Sequence, residues 1–140
     1  MVIACPPYIV ARLMRPKRYA CFLKARSLYY SYRNKHAQTG SSPRIALPTS
    51  SSQQHAAADR RLQKALSLFQ QAVRLSQKQG ELYDVVIGEY HMGLILLLQG
   101  QFQGAKGCFG RCQAISSSVR QDVNMVNTLK ECAYYISVLP

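Results

Sequence analysis

Between Asp59 and Val138 the apolar residues recur at intervals of three and four almost without a break. That spacing gathers them on one side of an α-helix, whereas a strand would alternate them between two faces. The stretch from Glu89 to Ile115 (EYHMGLILLLQGQFQGAKGCFGRCQAI) carries the pattern most clearly. Two arms, Met92–Leu98 and Phe102–Ile115, meet at Leu98-Gln99-Gly100-Gln101, so the stretch reads as a helical hairpin. Small residues at Gly93 and Ala105 let the arms approach each other. The run Met92–Leu98 is seven residues long, well short of the roughly 18 that span a bilayer. It reads as the buried core of a helix.

Four helices follow from this periodicity. The first is expected over about Ala58–Lys78, with Leu62, Ala65, Leu66, Phe69, Ala72, Val73 and Leu75 on its buried side, and Gly80 ending it. The second covers about Glu81–Gln99 and stops at Gly100. The third covers about Phe102–Ser116, and the fourth about Val119–Val138. Gly104, Gly107 and Gly110 recur within the third helix at about 1 kcal/mol each against alanine. They mark either a weak helix held by its packing or a smooth strip for a close neighbour.

Charge separates the rest of the chain from this helical part. Net charge is +12, yet residues 1–58 hold nine of the eighteen Lys and Arg and none of the six acids. Residues 1–57 are therefore expected to be a basic, largely disordered segment, and 58–140 the helical domain. Within the segment, Lys17–Gln38 has the makings of a helix, with Pro16 at its start and Gly40 beyond its end. Thr39–Gln54 reads as a Ser/Pro-rich linker. A basic tail is the first reading of the segment. A cleavable mitochondrial or plastid presequence is the alternative, since acids are absent while Arg and Ser are present. A third reading has the basic, Tyr-rich tail touching RNA or an acidic surface through phosphate attraction. Cys5, Cys21, Cys108, Cys112 and Cys132 form no dense framework, which points to a reducing, cytoplasmic setting.

Catalysis and metal binding find little to build on. His91 shares a helix with Glu81, Asp84 and Glu89, but no nucleophile, base and orienting group form a set. The two acids at the front of that helix suit its dipole. Cys108 and Cys112 share a helical face opposite His91, and with Cys132 could make up a zinc set. Buried packing accounts for them more simply. No enzyme activity, metal or cofactor is expected.

A shift of forty residues reveals an internal repeat. Ala65 falls on Ala105, Phe69 on Phe109, Leu75 on Ile115, Ser76 on Ser116, Val86 on Val126, Gly93 on Ala133 and Leu96 on Ile136. A constant offset of this kind indicates helix pairs that bury their apolar faces by stacking. In Met92, Gly93, Gly100, Phe102, Ala105, Phe109 and Cys112, flanked by Ala65, Phe69, Ala72, Cys132 and Ala133, the chain resembles the tetratricopeptide repeats over residues 58–138. The offset of forty resembles the variety with longer helices.

The resemblance implies an all-α fold of antiparallel helical hairpins stacked as a short solenoid. It implies a non-catalytic scaffold that binds a peptide or helix in a groove. The groove-facing places it implies are Ile87, Tyr90, Leu94, Leu97, Asn127, Lys130 and Tyr134. Tyr90 and Leu94 hold places where the chaperone-binding members carry a carboxylate clamp, so that clamp is not expected. The expected partner is a protein or peptide, or a second copy through exposed repeat ends, because such stacks generally need about three repeats. Nucleic acid is not expected.

Overall fold

The computed structural model describes residues 7–36 and 44–140. Among them the chain forms six α-helices, one 3-10 turn at Ser116–Ser118 and no strand. The helices are α1 (Pro7–Lys35), α2 (Ser50–Ala58), α3 (Arg60–Lys78), α4 (Leu82–Leu98), α5 (Phe102–Ala114) and α6 (Val123–Val138). The fold is all-α. None of the described helices is long and apolar enough to cross a membrane.

The helix ends are set by local chemistry. Asp59 accepts from the Arg61 and Leu62 amides at 2.8 and 3.4 Å, so α3 starts at Arg60. Asp122 accepts from the Met125 amide at 2.8 Å, so α6 starts at Val123 rather than near Val119. Gly80 and Gly100 take positive φ, 69° and 77°. At each, the amide one residue on reaches back to a carbonyl of the last turn, Glu81 to Ser76 at 2.9 Å and Gln101 to Leu96 at 2.8 Å. Paired glycine caps of this kind reverse the chain sharply at both ends of α4.

Neighbouring helices pack in chain order, α3 on α4, α4 on α5 and α5 on α6, with α1 laid along α3. The forty-residue offset persists in the burial. Val85, Gly88, Met92, Ile95 and Gln99 are buried, and so are Met125, Thr128, Cys132, Tyr135 and Leu139. Ala65, Phe69 and Ala72 of α3 and Ala105, Phe109 and Cys112 of α5 are all fully buried. Glu89 of α4 is buried as well, and its carboxylate takes both Arg111 contacts of α5 at 3.1 and 3.0 Å. This fork of two charge-assisted bonds satisfies the buried anion.

The glycine strip on α5 approaches no neighbouring backbone. A Cβ at Gly110 meets nothing within 4 Å, and those at Gly104 and Gly107 meet only side-chain tips of Leu96 and Arg111.

The N-terminal part departs from expectation. Residues 1–6 and 37–43 lie outside the described residues, but α1 from Arg18 onward and residues 44–57 contribute buried side chains to the fold. Helix α1 begins at Pro7 and carries Pro16 inside it. Phe22, Ala25, Tyr29 and Tyr32 of α1 are buried; their spacing of three, four and three puts them on one helical face. The expected linker, Thr39–Gln54, contains the first half of α2 and, before it, a strap at residues 44–49 without regular structure. Four contacts hold the strap and α2 down. Arg44 pairs with Glu131 at 3.1 and 3.0 Å and lies 3.8 Å over the Tyr134 ring. The Ile45 amide donates to the Tyr135 hydroxyl at 2.9 Å, and Gln53 lies against Gly100.

Candidate binding groove

A groove of about 510 Å³ opens beside the first turns of α4. Tyr83, Asp84 and Ile87 of α4 form its floor, Tyr19, Phe22 and Arg26 of α1 one wall, and Asn124 of α6 the other. Helix packing explains the position. Gly88 of α4 lies directly under the side chains of Val73 and Phe22, so α3 packs close on α4 there and α1, laid along α3, reaches α4 through the Phe22 side chain just above the groove. Phe22 is held in turn by an edge-on contact with Phe69, at 6.4 Å between ring centroids.

Polar groups in the groove are tied to one another. Arg18, itself buried, pairs with Asp84 at 3.4 Å and donates to Gln79. Burial pushes the Asp84 carboxyl up, Arg18 counters this, and Glu81 adds to it. On the opposite side the Tyr83 hydroxyl donates to both Asp122 oxygens at 2.9 Å and accepts from Asn124 at 3.3 Å. Arg120 covers the Tyr83 ring at 5.0 Å and pairs with Asp122 at 3.3 Å. The amide of Met125 is the main reason the Asp122 carboxyl stays below the usual range. Arg26 has no ion-pair partner among the described residues.

The seven residues singled out by sequence do not form one surface. Ile87 lines the groove, half-buried. Asn127 and Lys130 are exposed on α6. Leu94 and Leu97 are 6% and 0% exposed and belong to the core. A helix that is apolar all round is covered on all sides, and α4 has neighbours on several. Tyr90 is half-buried between the His91 and Phe109 rings, at 5.4 and 6.1 Å, and burial pushes its hydroxyl well up. Tyr134 carries the chain's own Arg44 on its face. The α1 wall is what sequence reasoning missed. Its signal was the periodic face Phe22–Tyr32, hidden in a basic segment.

The groups that could do chemistry are buried in packing roles. His91 is stacked on Phe69 at 5.0 Å and edge-on to Tyr29 at 5.7 Å. Burial pushes its pKa down, against the hydrogen bond to the Ile87 carbonyl at 2.8 Å. The Cys108 thiol is pushed up to about 12, mainly by burial. Cys112 goes higher still, through its hydrogen bond with Cys132 and then burial. Thiols held protonated in this way are poor nucleophiles. Among the described residues no three His, Cys, Asp or Glu are placed to hold a metal ion. No family model, no curated protein and no solved structure matches the chain.

Proposed function

We propose that this chain is a non-catalytic protein-interaction module, a short tetratricopeptide-like stack that holds a partner's peptide or helix in the groove between α1, α4 and α6. The observation that carries the reading is the groove itself. Its walls present large side chains to solvent, with Tyr19 at 64% exposure beside the half-buried Ile87 and Tyr83. Amphipathic aromatic residues beside partly buried apolar ones are the usual anchors of protein interfaces. The shared burial register of α4 and α6 and of α3 and α5 supports the stack. Such a module needs no cofactor and suits the cytoplasm.

The competing reading is an organelle-targeted assembly factor whose basic segment is removed. Removal of α1 would uncover Phe69, Val73 and His91, which makes it an expensive leader to lose. Sequencing the mature N terminus decides between them, and a start beyond Lys35 would establish the presequence.

The test of the groove is capture of partners by the full chain, compared between wild type and a Tyr19→Asp, Ile87→Asp variant. Partners bound through the groove should fall by about tenfold or more, since two interface anchors removed cost over 1.4 kcal/mol. If wild type and variant captured the same proteins equally well, the groove would not be the binding surface.

A further inference from the structure

We infer that the groove is built for an acidic amphipathic helix, about three turns long, supplied by another protein. The inference rests on the groove reading above and adds the chemistry of the partner.

The apolar half of the argument lies on α1. Tyr19, Leu23 and Tyr30 are 64%, 49% and 45% exposed. With Arg26 between them they follow at four, three and four residues, one continuous face of the helix. Tyr19 and Arg26 both line the groove, and Tyr30 reaches the His91 ring of α4 at 6.4 Å, so this face overlooks α4. Val123 of α6, the neighbour of groove-lining Asn124 in the chain, is 79% exposed. From Tyr19 to Tyr30 the stripe is about 16 Å long at the helical rise, which matches roughly eleven residues of a docked helix.

The charge half lies in what is paired and what is not. Helix α1 carries no acid, and each of the three acids on α4 and α6 has a cation: Asp84 has Arg18, Glu89 has Arg111, and Glu131 has Arg44. Glu81, just before α4, has no ion-pair partner among the described residues. Arg26 and Arg33, on the stripe side of α1, and Lys130 of α6 have no ion-pair partner among the described residues, whereas the equally unpaired Lys17, Lys24 and Lys35 fall on the far side of α1 from the stripe. Within the groove lining Arg18 and Asp84 offset each other and Arg26 remains, so a partner with carboxylates along its polar face complements the charge left over. A second copy of this basic chain would be repelled. A nucleic acid would meet the Asp84 carboxylate on the floor and leave Leu23, Ile87 and Val123 without apolar contact.

The experiment uses the full chain and two labelled peptides of roughly fourteen residues. Both carry leucines at helical spacing, one with glutamates and the other with lysines elsewhere. Binding is read by fluorescence anisotropy, with a labelled oligouridine as third probe. The glutamate peptide should bind about tenfold tighter than its lysine twin and weaken as salt rises from about 0.05 to 0.5 M. Arg26→Glu with Lys130→Glu should reverse the preference, and Leu23→Asp should weaken both peptides. All three positions are exposed, so the fold tolerates these changes. Equal or tighter binding of the lysine peptide overturns the acidic partner but leaves the groove. Failure of both peptides to bind overturns the groove reading as well. Tighter binding of oligouridine, indifferent to Leu23→Asp, overturns the proposal in favour of nucleic acid.

Discussion

A methyl group at position 93 tests how closely α4 and α5 pack. A Cβ built on Gly93 would lie 2.6, 2.8 and 3.0 Å from three atoms of the Phe109 ring. An ordinary carbon contact is roughly 3.5–4.0 Å, so the ring would have to withdraw by about 1 Å. It has little room to do so. Phe109 is fully buried and stacked on Tyr135, with 5.2 Å between centroids and 17° between planes. Overpacking of this kind costs about 1–3 kcal/mol, toward the upper end when three ring atoms clash. Alanine returns about 1 kcal/mol over glycine inside a helix. Gly93→Ala should therefore destabilise the protein by about 1–2 kcal/mol. Gly110→Ala is the matched control. A Cβ there meets nothing within 4 Å, and the change should stabilise by about 0.5–1 kcal/mol. Urea unfolding followed by far-UV circular dichroism reads both as shifts of midpoint at constant slope. In a Phe109→Leu background the Gly93→Ala penalty should shrink, with a coupling of about 1 kcal/mol. Gly93→Ala at or above wild-type stability, with Gly110→Ala as stated, refutes the close packing.

The remaining predictions concern the buried histidine and the strap. His91 is held neutral in the fold, its pKa below the ordinary 6.5. As pH falls below that value the unfolded chain takes up a proton the folded one refuses. The contribution of His91 is thus fully present above about pH 6.5 and declines below it, with a slope approaching about 1.4 kcal/mol per pH unit. Urea midpoints measured across this range should show the decline, and His91→Phe should flatten it; an unchanged slope in the variant would mean that other groups cause it. For the strap, Tyr135→Phe removes the acceptor of the buried Ile45 amide, a loss of about 1–2 kcal/mol. Hydrogen exchange at Ile45 should quicken by about tenfold while the amides of α3 to α5 keep their rates, and unaltered exchange at Ile45 would show that the strap is held by other means.

Sequence periodicity was a good guide from Asp59 onward because glycine and aspartate caps mark the chain reversals there. For α1 it gave the helix over Lys17–Gln38 but not its burial, because composition spoke louder than spacing. Nine cations without an acid suggest a solvated tail, yet Phe22, Ala25, Tyr29 and Tyr32 keep a helical face that the cations do not interrupt. The strap was beyond reach for another reason. Ile45 opens a run of only three apolar residues, Ile45-Ala46-Leu47, too short to show a period, and its partner hydroxyl is 90 positions away. A backbone amide bound to a distant phenol leaves no pattern in either segment. Leu94 and Leu97 show a third kind of failure. A pattern that assigns one open face to a helix was carried onto a helix whose LILLL run had already declared it covered on every side.

A contrast between α4 and α6 explains why α6 keeps more surface uncovered. Five positions forty apart are buried in both helices, so each offers an equivalent face to the rest of the stack. Beyond those five, Val86, Glu89 and Leu94 of α4 are buried, while Val126, Leu129 and Tyr134 at the matching places of α6 are only half-buried. The difference is one of neighbours: α4 is packed against α3 and α5 together, and α6 chiefly against α5. At the far end of α6 the strap makes up part of the deficit, through Arg44 on Tyr134 and Ile45 on Tyr135. Towards the front, Val123, Asn127 and Lys130 stay exposed on the helix that supplies the groove's second wall. A helix that lacks the neighbours of one matching it in burial pattern leaves apolar and cationic surface uncovered, and in α6 that surface includes Val123, next in the chain to the groove-lining Asn124.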